Sequence, residues 1–429
     1  MHAIMGRSGH VTLMICVAAP LLMGQSCWLL QNLLPATNPD SGQTQLPVDG
    51  TDGTADDGST DGGTTDNSTN DKGDTDDGTD DDGTDDAATA PYEIHKLPDG
   101  DSYATGAIAV NDTGQAVGTM TLYGLLDTST VSWREGASGC RRLWGPGLVS
   151  DINNQGWATG LDGDRDDIIC SIMRAVYLAD GVVHRIKAVE GRNASVPISI
   201  NNLGEIVGYS YVEAVDCIDQ LTPRDEQYVA FLYREGQVTG LGTLPGDTES
   251  SARSINDHGK VVGLSYNEDQ VNVFLWENGT MTKLETLRGF VGTFSCGKPP
   301  SFAADYSVTL HINNADQILV AYPDVAYILE NDGAKVDLMD TPLPDGAHVT
   351  GFNDLGQVVG YSRGIPGIMN WEGRGFLWED GTVTDFLELL PEGAGWNNVA
   401  PRDINNVGQI VGYGRIDGGR EAFIMTPTE

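Results

Sequence analysis

Basic residues are scarce in this chain: 24 Lys and Arg stand against 62 Asp and Glu, giving a net charge of −38 over 429 residues. This excludes nucleic-acid binding as a main function, because neutralising phosphates requires a basic face. The only long apolar run covers Val11 to Met23, which excludes a protein with several membrane spans. Histidines and cysteines are few, and no HExxH, P-loop or nucleophile-elbow motif occurs.

The first 27 residues have the features of a bacterial export signal. Arg7 precedes the apolar run, and small and polar residues lead from that run to Cys27. The run would span about 20 Å as a helix, too short for the ~30 Å core of a bilayer but typical of a signal peptide. A cysteine at this place resembles the lipidated residue of a lipoprotein. We predict lipidation of Cys27 and display at the cell surface or outer membrane, with simple cleavage and secretion, or an uncleaved anchor, as alternatives.

Residues 28–90 are predicted to form a disordered tether. Between positions 49 and 86 there are fifteen Asp and one Lys, and from 49 to 90 no apolar side chain is larger than that of alanine. Such a segment cannot bury enough apolar surface to offset the entropy of ordering, and its charges repel one another. The acidic segment is interpreted as a solvated linker rather than a set of calcium loops, because it lacks the ligand at the far end of such a loop.

Residues 91–429 contain a ten-residue phrase in seven copies, about 49 residues apart, a spacing typical of propellers and other repeat arrays. The copies are Ala109–Gly118, Asp151–Gly160, Ser199–Gly208, Ser254–Gly263, His311–Val320, Gly351–Gly360 and Asp403–Gly412. In each copy a strand ends at Asn, followed by Asn or Asp, a turn and a second strand. The Asn is expected to close an Asx turn and the next Gly to be left-handed. Asp316 replaces that Gly in the fifth, degenerate copy.

A second hairpin between the phrases gives each repeat four strands. The fourth strands are predicted at segments such as Gln237–Leu244, Thr280–Leu287 and Thr382–Leu389. The seventh repeat ends without one, whereas an additional strand, Tyr92–Leu97, precedes the first phrase. We therefore predict an all-β fold, a seven-bladed β-propeller over residues 91–429 in which this N-terminal strand completes the last blade. An open β-solenoid is the alternative, and it would need capping repeats at both ends.

The repeats resemble a known family. The phrase Ile-Asn-Asn/Asp-x-Gly-x-Val-Gly, the strand Ala/Val-Phe-Leu-Trp and the segment Val238–Leu244 are similar to the HAF-type probable extracellular repeats over about residues 92–425. The resemblance implies an exported bacterial β-repeat protein. It implies no activity and no catalytic residues.

Four cysteines remain outside the signal, and in an exported protein an even number favours disulfides. Cys170 and Cys217 fall between the second and third strands of consecutive blades, so we predict a disulfide between them. Cys296 falls in a loop between blades on the same face of the predicted propeller as Cys170 and Cys217, whereas Cys140 falls by a turn between third and fourth strands on the opposite face. These last two are expected to be free thiols.

Two groups of loop residues are candidate binding sites. Asp162, Asp164 and Asp166 alternate as Ca²⁺ ligands do, but the Gly and Glu of an EF-hand loop are missing, and a solvated acidic loop is the alternative. Aromatic residues in loops of one face form a candidate ligand surface, with local packing as the alternative. They are Tyr211, Tyr228, Tyr266, Phe294, Trp371 and Trp396.

The predicted function is that of a monomeric, non-enzymatic binding module. No cofactor is predicted, and Ca²⁺ is the one candidate ion. Its partner would be an extracellular protein or a glycan, because function concentrates in loops carried by a rigid scaffold. Contact with the membrane would run only through the lipid anchor. The alternative is a propeller enzyme, such as a polysaccharide lyase or glycosidase. An enzyme of that kind requires two or more converging acids with shifted pKa values in a deep pocket.

Overall fold

Seven four-stranded antiparallel sheets, the blades, make up the regular structure of the computed structural model. The structure describes residues 90–98, 102–122, 128–134, 136–163, 173–212, 228–288, 308–341, 343–344, 346–362 and 374–428. No helix in these ranges is long and apolar enough to cross a bilayer. Several predictions lie outside them, namely those on Cys27, the tether over residues 28–89, Asp164, Asp166, Cys170, Cys217, Phe294, Cys296 and Trp371.

The blades follow one another along the chain, and each begins with its innermost strand. Blade 1 comprises β2 (Ser102–Val110), β3 (Gln115–Leu122), β4 (Thr128–Arg134) and β5 (Arg141–Arg142), and blade 2 comprises β6 (Gly147–Ile152), β7 (Ala158–Gly163), β8 (Met173–Ala179) and β9 (Val182–Arg185). Blade 3 comprises β10 (Ala194–Ile200), β11 (Ile206–Tyr211), β12 (Val229–Arg234) and β13 (Gln237–Gly242), and blade 4 comprises β14 (Glu249–Ile255), β15 (Val261–Tyr266), β16 (Val271–Glu277) and β17 (Thr280–Thr286). Blade 5 comprises β18 (Thr309–Ile312), β19 (Ile318–Tyr322), β20 (Val325–Leu329) and β21 (Lys335–Asp337), and blade 6 comprises β22 (Ala347–Phe352), β23 (Val358–Ser362), β24 (Gly375–Glu379) and β25 (Thr382–Asp385). Blade 7 comprises β26 (Asn397–Ile404), β27 (Ile410–Ile416), β28 (Gly419–Pro427) and, from the other end of the chain, β1 (Tyr92–Lys96).

The predicted closure of the ring is confirmed. Strand β1 pairs with β28 from Tyr92 opposite Pro427 to Lys96 opposite Phe423. Apolar residues of blades 7 and 1 then pack into one buried cluster, which includes Val411 and Ile424. The protein is a seven-bladed β-propeller with no unpaired edge at the joint, and the open solenoid is excluded.

The hydrophobic core is divided among the interfaces between blades. One cluster joins blades 4 and 5 around Val262 and Leu310, and another joins blades 6 and 7 around Phe386 and Ile410. Alternation of side chains along each strand places apolar residues on both faces of a blade, which is why every blade can pack against two neighbours.

The phrase forms the turn between the first and second strands of each blade. Its first glycine is left-handed in six copies, with φ from +72° to +81°, and Asp316 takes the same region in the fifth at +62°. The second glycine lies opposite a β-bulge in those six blades. In blade 5, Val320 takes its place and pairs with Leu310 without a register shift. The degenerate copy therefore lacks the bulge.

The predicted fourth strands are too long in places. Strand β25 ends at Asp385, and Phe386–Leu389 forms a short helix, α1, instead of continuing the strand. The Asp385 side chain accepts a hydrogen bond from the Leu387 N–H and so caps this turn. The outermost strand has a partner on only one side, so local capping can end it early.

Candidate functional site

The two faces of the propeller differ in construction. The turns between first and second strands lie on what we call the motif face, and the structure describes these turns in all seven blades. The other, called the loop face, is where second strands end and third strands begin, as at the end of β27 and the start of β28. Of the aromatic residues predicted to form a ligand surface, the described ones, Tyr211, Tyr228, Tyr266 and Trp396, lie on the loop face.

A closed ring of hydrogen bonds joins the blades at the motif face. The side-chain Nδ2 of the first Asn in each phrase donates to the main-chain carbonyl of the equivalent Asn in the next blade, at 2.8–3.1 Å. The last bond runs from Asn405 back to Asn111. The Oδ1 of the same side chain accepts the N–H groups two and four residues on, as in Val407 and Gln409. The predicted Asx turn is confirmed, and the same Asn also links two blades.

The Asn or Asp that directly follows the first Asn of each phrase forms a further ring. Its main-chain N–H donates to the side-chain Oδ1 of the equivalent residue in the next blade, at 2.7–2.9 Å in all seven steps. The members are Asp112, Asn154, Asn202, Asp257, Asn314, Asp354 and Asn406. These side chains are therefore bound to the scaffold, and the repeated polar residues of the phrase have a structural role.

Two half-buried carboxylates, Asp151 and Asp403, lie on the innermost strands on either side of blade 1. Asp151 accepts the N–H of Ile152 on Oδ1 and that of Ile200, in the next blade, on Oδ2. Asp403 accepts the N–H of Val110 across the closing joint at 2.9 Å. Burial raises the pKa of Asp151 to about 6. Burial, supplemented by the charge of Asp151, raises the pKa of Asp403 to about 7.

Five side chains of blades 6 and 7 form what we call the Tyr–Arg cluster: His348, Tyr361, Arg402, Tyr413 and Arg420. The guanidinium carbon of Arg420 lies 3.8 Å from the centre of the Tyr413 ring, and that of Arg402 lies 5.3 Å from the same centre and 5.9 Å from that of Tyr361. His348 stacks on Tyr361 with ring centres 5.3 Å apart. The cluster thus places two cations around one phenol.

The electrostatics of the cluster are dominated by the two arginines. Burial opposes ionisation of Tyr413, but the charges of Arg402 and Arg420 outweigh it and lower the pKa of the phenol. Burial, together with the charge of Arg402, lowers the pKa of Arg420. Within the described ranges, the ionisable neighbours of the two guanidinium groups are Tyr361, Tyr413 and one another, and neither group is paired with a carboxylate.

The described aromatic residues of the predicted ligand surface show mainly local packing, the alternative reading of these residues. Tyr228 and Tyr266 are buried, at 4% and 2% exposure, and Trp396 is buried at 7%. Tyr228 packs edge-on against Tyr209, and Trp396 packs edge-on against Phe423. Burial of these three rings leaves little of their surface for a ligand. Tyr211, stacked obliquely on Tyr228, remains partly exposed.

The other predicted site residues are only partly covered by the structure. Asp162 lies in β7, half-buried and in register with Arg174. No group of three or more His, Cys, Asp or Glu suited to a metal ion occurs among the described residues, but two of the three proposed Ca²⁺ ligands lie outside them. Cys140 is a free, partly buried cysteine.

Sequence reasoning missed the Tyr–Arg cluster, although a signal for it existed. Tyr361 and Tyr413 each directly follow the last glycine of a phrase, in adjacent copies, and Arg402 directly precedes the seventh phrase. Equivalent positions of adjacent blades lie side by side in a propeller. Comparing the residues that flank the phrase, copy by copy, would have placed these three together.

Comparisons with known proteins find only distant likenesses among solved structures. No known family profile matches the chain, and no curated protein matches it. A catalytically inactive virginiamycin B lyase from Staphylococcus aureus with quinupristin is similar at 11% identity and a TM-score of 0.45, over 79% of this chain and 100% of that one. A puromycin hydrolase is similar at 12% identity and 0.47, over 75% and 51%. YCF48 bound to D1 peptide is similar at 12% and 0.44, over 79% and 96%. At these values the likenesses carry no information about activity.

Proposed function

We propose that the chain is an exported, non-enzymatic β-propeller module that binds an extracellular partner, with a glycan as the favoured partner. The observation that supports a non-enzymatic role is that Asp151 and Asp403 form hydrogen bonds to the main chain of the scaffold. Among the described residues, Asp151 and Asp403 are acids of the kind that a hydrolase or lyase uses, with raised pKa values, and both accept main-chain N–H groups of their own and the next blade. Such bonds commit them to holding the blades together.

The propeller enzyme remains the second candidate, because one observation favours it. Carboxylates with raised pKa values that interact electrostatically are a common feature of acid–base catalysis. Asp151 and Asp403 meet that description, with pKa values of about 6 and about 7. The two candidates differ in whether a bound glycan is cleaved.

The experiment that separates them uses the purified full chain on an array of acidic and neutral glycans, followed by product analysis. We expect retention of a subset of glycans, with no new reducing ends and no unsaturated uronic products. Cleavage that is lost in Asp151→Asn and Asp403→Asn would overturn the binding proposal in favour of the enzyme.

Export and anchoring are part of the same proposal. The signal features of residues 1–27, the acidic segment within residues 28–90 and the resemblance to HAF-type repeats support a lipid anchor at Cys27 that displays the head beyond a flexible spacer. Mass spectrometry of the mature chain from bacterial membranes should show an acylated N-terminal cysteine. An unmodified mature chain in the medium would instead support secretion.

A further inference from the structure

The Tyr–Arg cluster contains two cations that no acidic group of the described residues neutralises. Burying an ionised side chain without a partner is costly, and placing two like charges together adds to that cost. The chain has 62 acidic residues, but none of those that the structure describes lies beside these arginines. A cluster of this kind gains stability when an anion occupies it.

The guanidinium group of Arg420 also has unused hydrogen-bonding capacity. The Nε of Arg420 is buried and has no hydrogen-bond partner in the described structure. Its guanidinium carbon lies 3.8 Å from the centre of the Tyr413 ring, and stacking on a ring uses the face of the group. The N–H donors lie along the edge in the plane of the group, where a planar two-oxygen acceptor fits them in pairs.

The cluster is reachable from the loop face. His348 is the second residue of β22, Tyr361 is the last but one of β23, and Arg420 is the second of β28, so all three lie at strand ends on that face. All five side chains of the cluster are partly exposed. The cluster is therefore enclosed by protein and opens to the loop face, where the sequence predicts a ligand surface.

We propose that the Tyr–Arg cluster binds the carboxylate of an acidic glycan, such as a uronic acid residue. The proposal rests on the proposed function and names its ligand class. The two guanidinium groups provide the charge and the paired donors for the carboxylate. The phenol groups of Tyr361 and Tyr413 and the imidazole of His348 can each donate and accept hydrogen bonds, and so can the sugar hydroxyls next to the carboxylate. A glutamate side chain has a carboxylate for the arginines but no adjacent hydroxyl groups for the phenols and the imidazole.

The test uses the full chain and isothermal titration calorimetry at physiological salt without divalent cations. The probes are a galacturonate oligomer and its methyl ester, which has the same sugar ring without the charge. We expect the acid to bind at least tenfold more tightly than the ester, a difference of about 1.4 kcal/mol. Equal binding of acid and ester would overturn the proposal and leave the glycan-binding function intact.

Variants locate the site. Arg420→Gln and Arg402→Gln should each weaken binding of the acid at least tenfold, and Arg420→Lys should weaken it too, because lysine keeps the charge but not the planar pair of donors. The matched control is Arg415→Gln, an exposed residue in register with Arg420, which should change the affinity less than about twofold. Circular dichroism melts establish that each variant is folded.

The outcomes separate the two proposals. If Arg420→Gln and Arg415→Gln bind alike, the site is elsewhere and the cluster proposal is wrong, although glycan binding stands. Binding of an oligoglutamate peptide in preference to the oligogalacturonate would contradict the glycan class. Cleavage of the oligomer would overturn the non-enzymatic function, while its dependence on Arg420 would still support the site.

Discussion

The close crossing of strands at the second glycine of the phrase gives the sharpest test of the fold. A Cβ atom on Gly118 would lie 2.1 Å from the carbonyl oxygen of Gly106, 2.9 Å from the Cα of Ala107 and 2.9 Å from the ring of Trp133. Ordinary C···O contacts are about 3.3 Å, so the two strands would have to separate by about 1 Å. The first two obstacles are main chain and cannot rotate away.

Gly118→Ala should therefore cost about 3 kcal/mol, the upper end of the range for overpacked sites. With an unfolding entropy of about 2.1 cal/mol/K per residue over roughly 340 residues, this lowers the melting temperature by about 4 °C. The matched control is Gly106→Ala in the paired strand, where the nearest atom to a Cβ is Cδ1 of Tyr413 at 4.0 Å. That variant should match or slightly exceed the wild type, because alanine restricts the unfolded chain.

Urea unfolding followed by circular dichroism, with thermal melts beside it, measures both variants. Equal midpoints for Gly118→Ala and Gly106→Ala would refute the reasoning, since they would show that the bulge moves aside without cost. Val320 of blade 5 indicates why this should not happen: a side chain is present there, and the bulge is gone.

Two further predictions concern the closing joint. Asn405→Asp keeps the Asx turn but replaces the donating Nδ2 by an oxygen, which then faces the carbonyl oxygen of Asn111 and the Oε1 of Gln409 at 2.8 and 2.9 Å. Unpaired buried acceptors cost about 1–3 kcal/mol each, so the urea midpoint should fall. An unchanged midpoint would contradict a stabilising role of the hydrogen-bond ring. Asp403 has a raised pKa of about 7, so the folded state holds a proton that the unfolded state loses near pH 4. Stability should accordingly decline as pH rises from about 4 to 7, and Asp403→Asn should flatten that decline in urea titrations; parallel profiles for both proteins would contradict it.

The blade count, the permuted joint and the turn chemistry could be predicted because each depends on a short pattern repeated in register. Asn405 and Gly408 lie in the same local geometry as their counterparts in other copies. The helix Phe386–Leu389 could not be predicted, since it depends on one capping contact at Asp385. Residues that converge from different blades, such as Arg402 and Tyr361, required the circular order of the copies as well as the copies themselves.

The choice between Asn and Asp at the position after the first Asn of the phrase shows how that circular order governs the sequence. Around the ring, each of Asp112, Asp257 and Asp354 has an Asn on both sides, and its Oδ2 accepts an Nδ2 hydrogen from each of them. Strict alternation of Asp and Asn is impossible with seven members, so one pair of like neighbours must occur. That pair is Asn154 and Asn202, two neutral groups, whereas two adjacent carboxylates would repel one another. A single copy of the phrase shows only that either residue is allowed, but the closed ring explains which one stands in each blade.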